Sequence, residues 1–105
     1  MIEIGARGRD KLFWTKHAQG KMRYYGISEN RTKRVLSNPK RIEEGVAPKT
    51  IALMQRAGSR KHPYEIWVMV QTTKAKIKII SVWRYPGITK PREIPQEILE
   101  ELKSL

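Results

Sequence analysis

A chain of 105 residues, 39% hydrophobic and 30% charged, is one folded domain, too apolar for disorder and too short for a second core. It has no cysteine, which excludes disulfides and thiolate metal sites, and no apolar run fit for a secretory leader or a membrane span, so a soluble cytoplasmic protein is expected. Its 22 Lys and Arg against 10 Asp and Glu give a net charge of +12, which points to a polyanionic partner.

Residues 1–11 carry glycines and charges without an apolar period and read as a flexible arm. Leu12-Phe13-Trp14-Thr15 suits a short first strand. A helix is predicted over Lys16–Tyr25, where Ala18, Met22 and Tyr25 recur at helical spacing and Gly26 supplies a left-handed stop. Ser28 is a good N-cap for a second helix running to about Leu36, with Ser37-Asn38-Pro39 ending it. Strands are then expected at Arg41–Val46, Lys49–Gln55, Tyr64–Gln71 and Lys76–Tyr85, with a basic loop over Arg56–Pro63. The run Ile66-Trp67-Val68-Met69-Val70 is apolar on both faces, as in a central strand. Strict alternation would place Ile77, Ile79 and Trp83 on one face of the last strand and Lys76, Lys78 and Arg84 together on the other. After Pro86-Gly87, Pro95 opens an acidic helix over residues 95–105, with Ile98, Leu99, Leu102 and Leu105 on one stripe. The expected fold is α+β: two N-terminal helices packed on one four-stranded antiparallel sheet, with a C-terminal helix.

The charge is uneven. Residues 1–92 hold 21 of the bases and six of the acids, whereas Glu93, Glu97, Glu100 and Glu101 sit near the C-terminus. Self-repulsion of that size opposes folding, so a polyanion that relieves it is implied; a generally basic proteome is the alternative. Chemistry is then narrowed by elimination. Asp10 is the single aspartate, His17 and His62 the two histidines, and Glu43, Glu44 and Glu65 the carboxylates in the sheet. Adjacent Glu43 and Glu44 would point to opposite faces, which is too little for a two-metal nuclease. No phosphate-cradling glycine motif occurs. A metal-free basic site remains, with no cofactor. RNA suits it because the 2′-hydroxyl is a built-in nucleophile that needs only a base, an acid and cations.

The stretches Thr15-Lys16-His17-Ala18-Gln19-Gly20-Lys21-Met22, Tyr25-Gly26-Ile27-Ser28 and Val35-Leu36-Ser37-Asn38-Pro39 resemble a small family of unknown function, catalogue number forty-two fifty-eight. Two helices before a β-meander are also similar to BrnT and RelE-type RNA- or ribosome-directed toxins. Ile79-Ile80-Ser81-Val82-Trp83-Arg84 resembles a late BrnT strand that reads Ile-Ile-Ser before a basic residue. The resemblance covers about residues 13–86; the Arg84-to-Pro95 loop and the acidic C-terminal helix depart from the simplest members. It implies a metal-independent endoribonuclease of toxin type, with RNA or the ribosome as target and an acidic antitoxin as partner. A non-catalytic RNA- or ribosome-binding module, or a domain docking an acidic protein, fits the same cations.

Four residues are candidates for catalysis. His17 is a general acid or base, or else packs the start of its helix; Lys21, one turn on, is a phosphate ligand. Arg84 and Tyr85, at a strand end before Pro-Gly, are a phosphate clamp and a stacking or proton-donating group, or an edge arginine with a tyrosine lid. Candidates for RNA contact are Arg23 and Tyr24 at the first helix end, Arg41 and Lys49 in the first hairpin, Arg60 and Lys61 in the basic loop, and Lys76 and Lys78 on the last strand. For any single lysine a solvated charge is the plainer reading. Trp14, Trp67 and Trp83 lie in apolar segments and are assigned to the core.

Overall fold

A computed structural model describes residues 11–45, 49–73 and 76–89. Strand β1 (Lys11–Trp14) leads into helices α1 (Lys16–Tyr25) and α2 (Glu29–Ser37). Strands β2 (Arg41–Glu44), β3 (Thr50–Gly58), β4 (Pro63–Thr72) and β5 (Lys76–Pro86) follow. The sheet order is β1-β5-β4-β3-β2. β2 to β5 form an antiparallel meander, while β1 pairs parallel to β5 with Lys11 opposite Lys76 and Trp14 opposite Ile79.

The expected four-stranded antiparallel sheet is therefore corrected to a five-stranded mixed one. The two helices carry the chain from β1 at one sheet edge to β2 at the other, and the β2–β5 meander returns it so that β5 lies parallel beside β1, an arrangement that no short turn can make. Lys11 consequently belongs to β1 rather than to the arm. No C-terminal helix occurs among the described residues, and the stretch 95–105 assigned to it lies outside them.

Local chemistry explains the helices. The Thr15 hydroxyl accepts from the Ala18 amide at 3.0 Å and is shared with the carbonyls of Ile79 and Ile80 at 2.9 and 3.2 Å, so one side chain caps α1 and fastens it to β5. Gly26, at φ 68°, ends α1 in the left-handed conformation, and Ser28 caps α2 through the Arg31 amide. Both helices cover one sheet face. Ala18, Met22, Val35 and Leu36 pack there against Leu53, Ile66, Val68, Val70, Ile77, Ile79 and Val82. On the other face Ala52, Met54, Trp67, Met69 and Trp83 form a second buried cluster, and Tyr25 packs against both.

β5 departs from strict alternation. Val70 pairs with Ile79 but the next residue back, Met69, pairs with Ser81, so Ile80 is an extra residue on β5. Such a bulge reverses every later side chain. Ile77, Ile79 and Val82 thus share the helix-side core, while Trp83 packs on the second face. The predicted stripe of Lys76, Lys78 and Arg84 is divided: the lysines project from the second face and Arg84 from the helix side.

β3 and β4 are longer than predicted, which shrinks the basic loop to Ser59–His62. Gly58 starts it at φ 83°, and a Cβ there would stand 2.3 Å from the His62 carbonyl and 2.9 Å from the Tyr64 ring. Backbone cannot yield as a side-chain tip can, so Gly58→Ala is expected to cost about 1–3 kcal/mol. Urea unfolding checks this; a midpoint equal to wild type would show that the turn tolerates a side chain.

Candidate nucleic-acid interface

Sixteen of the bases lie among the described residues, with four carboxylates: Glu29, Glu43, Glu44 and Glu65. Where those cations stand decides which are available to a ligand.

On the helix side, at the far end of the sheet, Arg84 and Arg31 lie near Tyr64, and Arg34 lies near Arg31. Tyr64 is the second residue of β4, and the Arg84 guanidinium lies over its ring at 4.8 Å. From α2, Arg31 donates through Nη1 to the Gln55 Oε1. The Gln55 amide in turn donates to the carbonyls of Arg34 and Asn38 at 3.0 and 2.8 Å. Burial and then the charge of Arg34 lower the Arg31 pKa, with Tyr64 partly offsetting them. Arginine stays charged regardless, so the depression registers burial first and a like-charged neighbour second. Arg34 and Arg84 are exposed and Arg31 half-buried, so the cluster opens to solvent.

α1 adds an aromatic platform. Tyr24 is 78% exposed and stands edge-on to Tyr25 with ring centres 4.8 Å apart. The Lys21 ammonium lies 5.8 Å from the Tyr24 ring centre and 5.4 Å from that of Tyr25. A cation held beside an exposed ring can meet a phosphate while the ring stacks a base. Arg23 lines an open groove of about 580 Å³ between the two helices.

His17 is half-buried in the first turn of α1, with its Nε2 enclosed. Thr15 ties that turn to Ile79 and Ile80, whereas Arg84 is four residues further along β5, about 13 Å at ~3.3 Å per residue. Tyr85 packs against the second-face cluster, on the opposite side from Arg84. The four candidates for catalysis are thus divided: His17 and Lys21 lie on α1, Arg84 on the helix side of β5 and Tyr85 on its other face.

Arg41, a candidate for RNA contact, is engaged within the protein. Its guanidinium donates to the Thr89 carbonyl and hydroxyl, both at 2.8 Å, and to Glu43 at 3.1 Å. It also lies 3.9 Å from Glu65 and 5.1 Å from the Trp67 ring centre. Only 14% of the side chain is exposed. Arg60 and Lys61 stand exposed on the Ser59–His62 turn, which is closed by the Ser59 hydroxyl accepting from the His62 amide at 3.1 Å. Lys49 is exposed at φ 61° before β3. Lys76 and Lys78 are exposed on the second face.

Sequence reasoning missed Arg31, Arg34 and Tyr64. The two arginines are visible as a pair three apart on one helix face, but their meeting with Tyr64 and Arg84 depends on where α2 crosses the sheet. Among the described residues no three histidines or carboxylates come together as a metal site, and no helix is long and apolar enough to cross a membrane. Neither a protein-family model, nor a curated protein, nor a solved structure matches the chain.

Proposed function

We propose that this is an RNA-directed cytoplasmic protein of toxin type that engages RNA through the Arg84–Tyr64–Arg31–Arg34 face. The observation that carries the reading is the placement of three guanidinium groups at one end of the sheet, with no carboxylate among their contacts within the described residues. Guanidinium forks suit phosphate, and Tyr24 beside Lys21 adds a stacking surface. Of the four described carboxylates, Glu43 and Glu65 already flank Arg41, so the surface charge is largely uncancelled. An acidic antitoxin-like protein would bind the same face and block it. The chemistry this equipment allows is metal-independent cleavage by 2′-hydroxyl attack, with Arg84 on the phosphate and His17 moving a proton.

Binding without cleavage is the second reading. It is favoured by the distance along β5 between the anchor of His17 and Arg84.

Fluorescence anisotropy with single-stranded RNA over a salt series tests the common ground. About five phosphate contacts give a log–log slope of about −3.5. No binding at low salt, or a flat response, removes RNA as the partner. Incubation of labelled RNA and of translating ribosomes with the protein, with and without EDTA, separates the two readings. EDTA-insensitive cleavage supports the enzyme, and intact RNA supports the module.

A further inference from the structure

We infer that the protein carries a second, separate contact for single-stranded RNA, on the sheet face opposite the helices, formed by Lys11, Phe13, Lys76 and Lys78. The inference rests on the RNA reading above but on different residues and the other face of the molecule.

Register fixes the arrangement. Lys11 pairs with Lys76 and Phe13 with Lys78 across the parallel β1–β5 ladder. Leu12 and Trp14 pack on the helix-side core and Ile77 and Ile79 belong to it, so their alternating neighbours all project the other way. Neighbouring strands lie ~4.8 Å apart and alternate residues ~6.7 Å apart. Three ammonium groups and a phenyl ring are thereby rooted on one small patch. All four residues are exposed, and Phe13 keeps 53% of its surface in water.

Two features of this patch are unfavourable for the free protein. Like charges directly opposite each other on a ladder repel, and a large phenyl surface is left hydrated. Among the described residues no carboxylate pairs with the three lysines. The two carboxylates that share their face are remote: Glu65 pairs with Tyr85 at the other end of β5, and Glu43 lies on β2 at the opposite sheet edge. An extended nucleic-acid strand relieves both defects together. Its phosphates meet the ammonium groups while a base stacks on the ring, a sequence-tolerant mode that sheet surfaces carrying aromatics support. An acidic peptide would satisfy the lysines, but its carboxylate side chains offer no ring to stack on Phe13. A duplex would keep its bases stacked inside.

The experiment measures anisotropy of a fluorescent oligouridylate and of an abasic oligonucleotide of equal length. The proteins are wild type, Phe13→Ala, Phe13→Tyr, Lys76→Ala/Lys78→Ala and Arg31→Ala/Arg84→Ala, each first shown by circular dichroism and melting to be folded. Phe13→Ala should lower oligouridylate affinity about tenfold, with the salt slope unchanged. The loss should vanish on the abasic probe, and Phe13→Tyr should restore binding. The double lysine variant should flatten the slope by about 1.4. If both second-face variants bind as wild type while Arg31→Ala/Arg84→Ala is weakened, the second contact is overturned and the RNA function stands. If wild type binds no RNA, the function itself fails. If Lys76→Ala/Lys78→Ala loses a polyglutamate probe but keeps oligouridylate, the patch is for acidic protein and the inference is overturned.

Discussion

Glu65→Ala is expected to lower the stability of the protein by about 3–5 kcal/mol, a large part of the ~5–15 kcal/mol typical of a domain. Glu65 is fully buried on β4. Its Oε1 accepts from the Trp67 indole at 3.0 Å and the Thr89 hydroxyl at 2.8 Å, and its Oε2 accepts from the Thr89 amide at 3.1 Å. Arg41 stands 3.9 Å away and donates to the Thr89 carbonyl as well. Removing the carboxylate leaves three donors and a guanidinium facing an apolar space, and unmade bonds to buried groups cost more than formed ones contribute. Glu65→Gln should cost less, because it keeps one acceptor but turns an amide donor toward groups that already donate. The double variant Glu65→Leu/Arg41→Met should be less destabilised than the sum of its parts, since it removes both charges together. Urea unfolding of wild type, Glu65→Ala, Glu65→Gln, Glu65→Leu, Arg41→Met and the double variant checks the set. A Glu65→Ala midpoint within error of wild type would show that the carboxylate holds nothing. The clasp bears on the interface as well, because it pins Thr89 just beyond the strand that carries Arg84. The Gly87 amide adds a second tie to the Pro63 carbonyl at 2.8 Å.

What the sequence discloses and what it conceals follow from the range of the interactions. Both helices are legible because capping is local: Gly26 and Ser28 act within a few residues of themselves. The pairing of β1 with β5 is not, since four residues of alternating burial fit any sheet edge and the partner lies 65 positions away. The bulge at Ile80 is equally hidden. Ile79-Ile80-Ser81-Val82 has no glycine or proline to mark it, and the extra residue shows only against the register of β4. That one residue divides the basic stripe and separates Arg84 from Lys76 and Lys78. Arg41 illustrates the opposite case: a cation opening a short strand looks exposed, and only the fold brings Glu65 and Thr89 to it. The exposure of Tyr24 was readable, because it sits beside Arg23 off the stripe formed by Ala18 and Met22.

Arg84 is where binding and catalysis separate. Its guanidinium lies over the Tyr64 ring, 4.8 Å from its centre, which holds the side chain while leaving the residue exposed. If its task is to hold phosphate, Arg84→Ala should weaken RNA about ten- to a hundredfold and flatten the salt slope by about 0.7. Arg84→Lys should then recover the slope but only part of the affinity, because an ammonium keeps the charge and loses the planar fork. If the site cleaves RNA, the 2′-oxygen bonds to phosphorus, the 5′-oxygen leaves with a proton, and charge grows on the phosphoryl oxygens in between. Arg84→Ala should then reduce the single-turnover rate at saturating RNA by about 10²–10³, more than it reduces affinity, because a contact that strengthens in the transition state acts on rate. His17→Gln should remain folded and lose rate without losing affinity, and products should end in 2′,3′-cyclic phosphate. Wild-type protein that leaves RNA and ribosome-bound messages intact ends the enzyme reading and leaves the binding one. An Arg84→Ala protein with wild-type affinity, slope and cleavage rate ends both for this face, since no exposed guanidinium in contact with phosphate can be removed without a change in one of them.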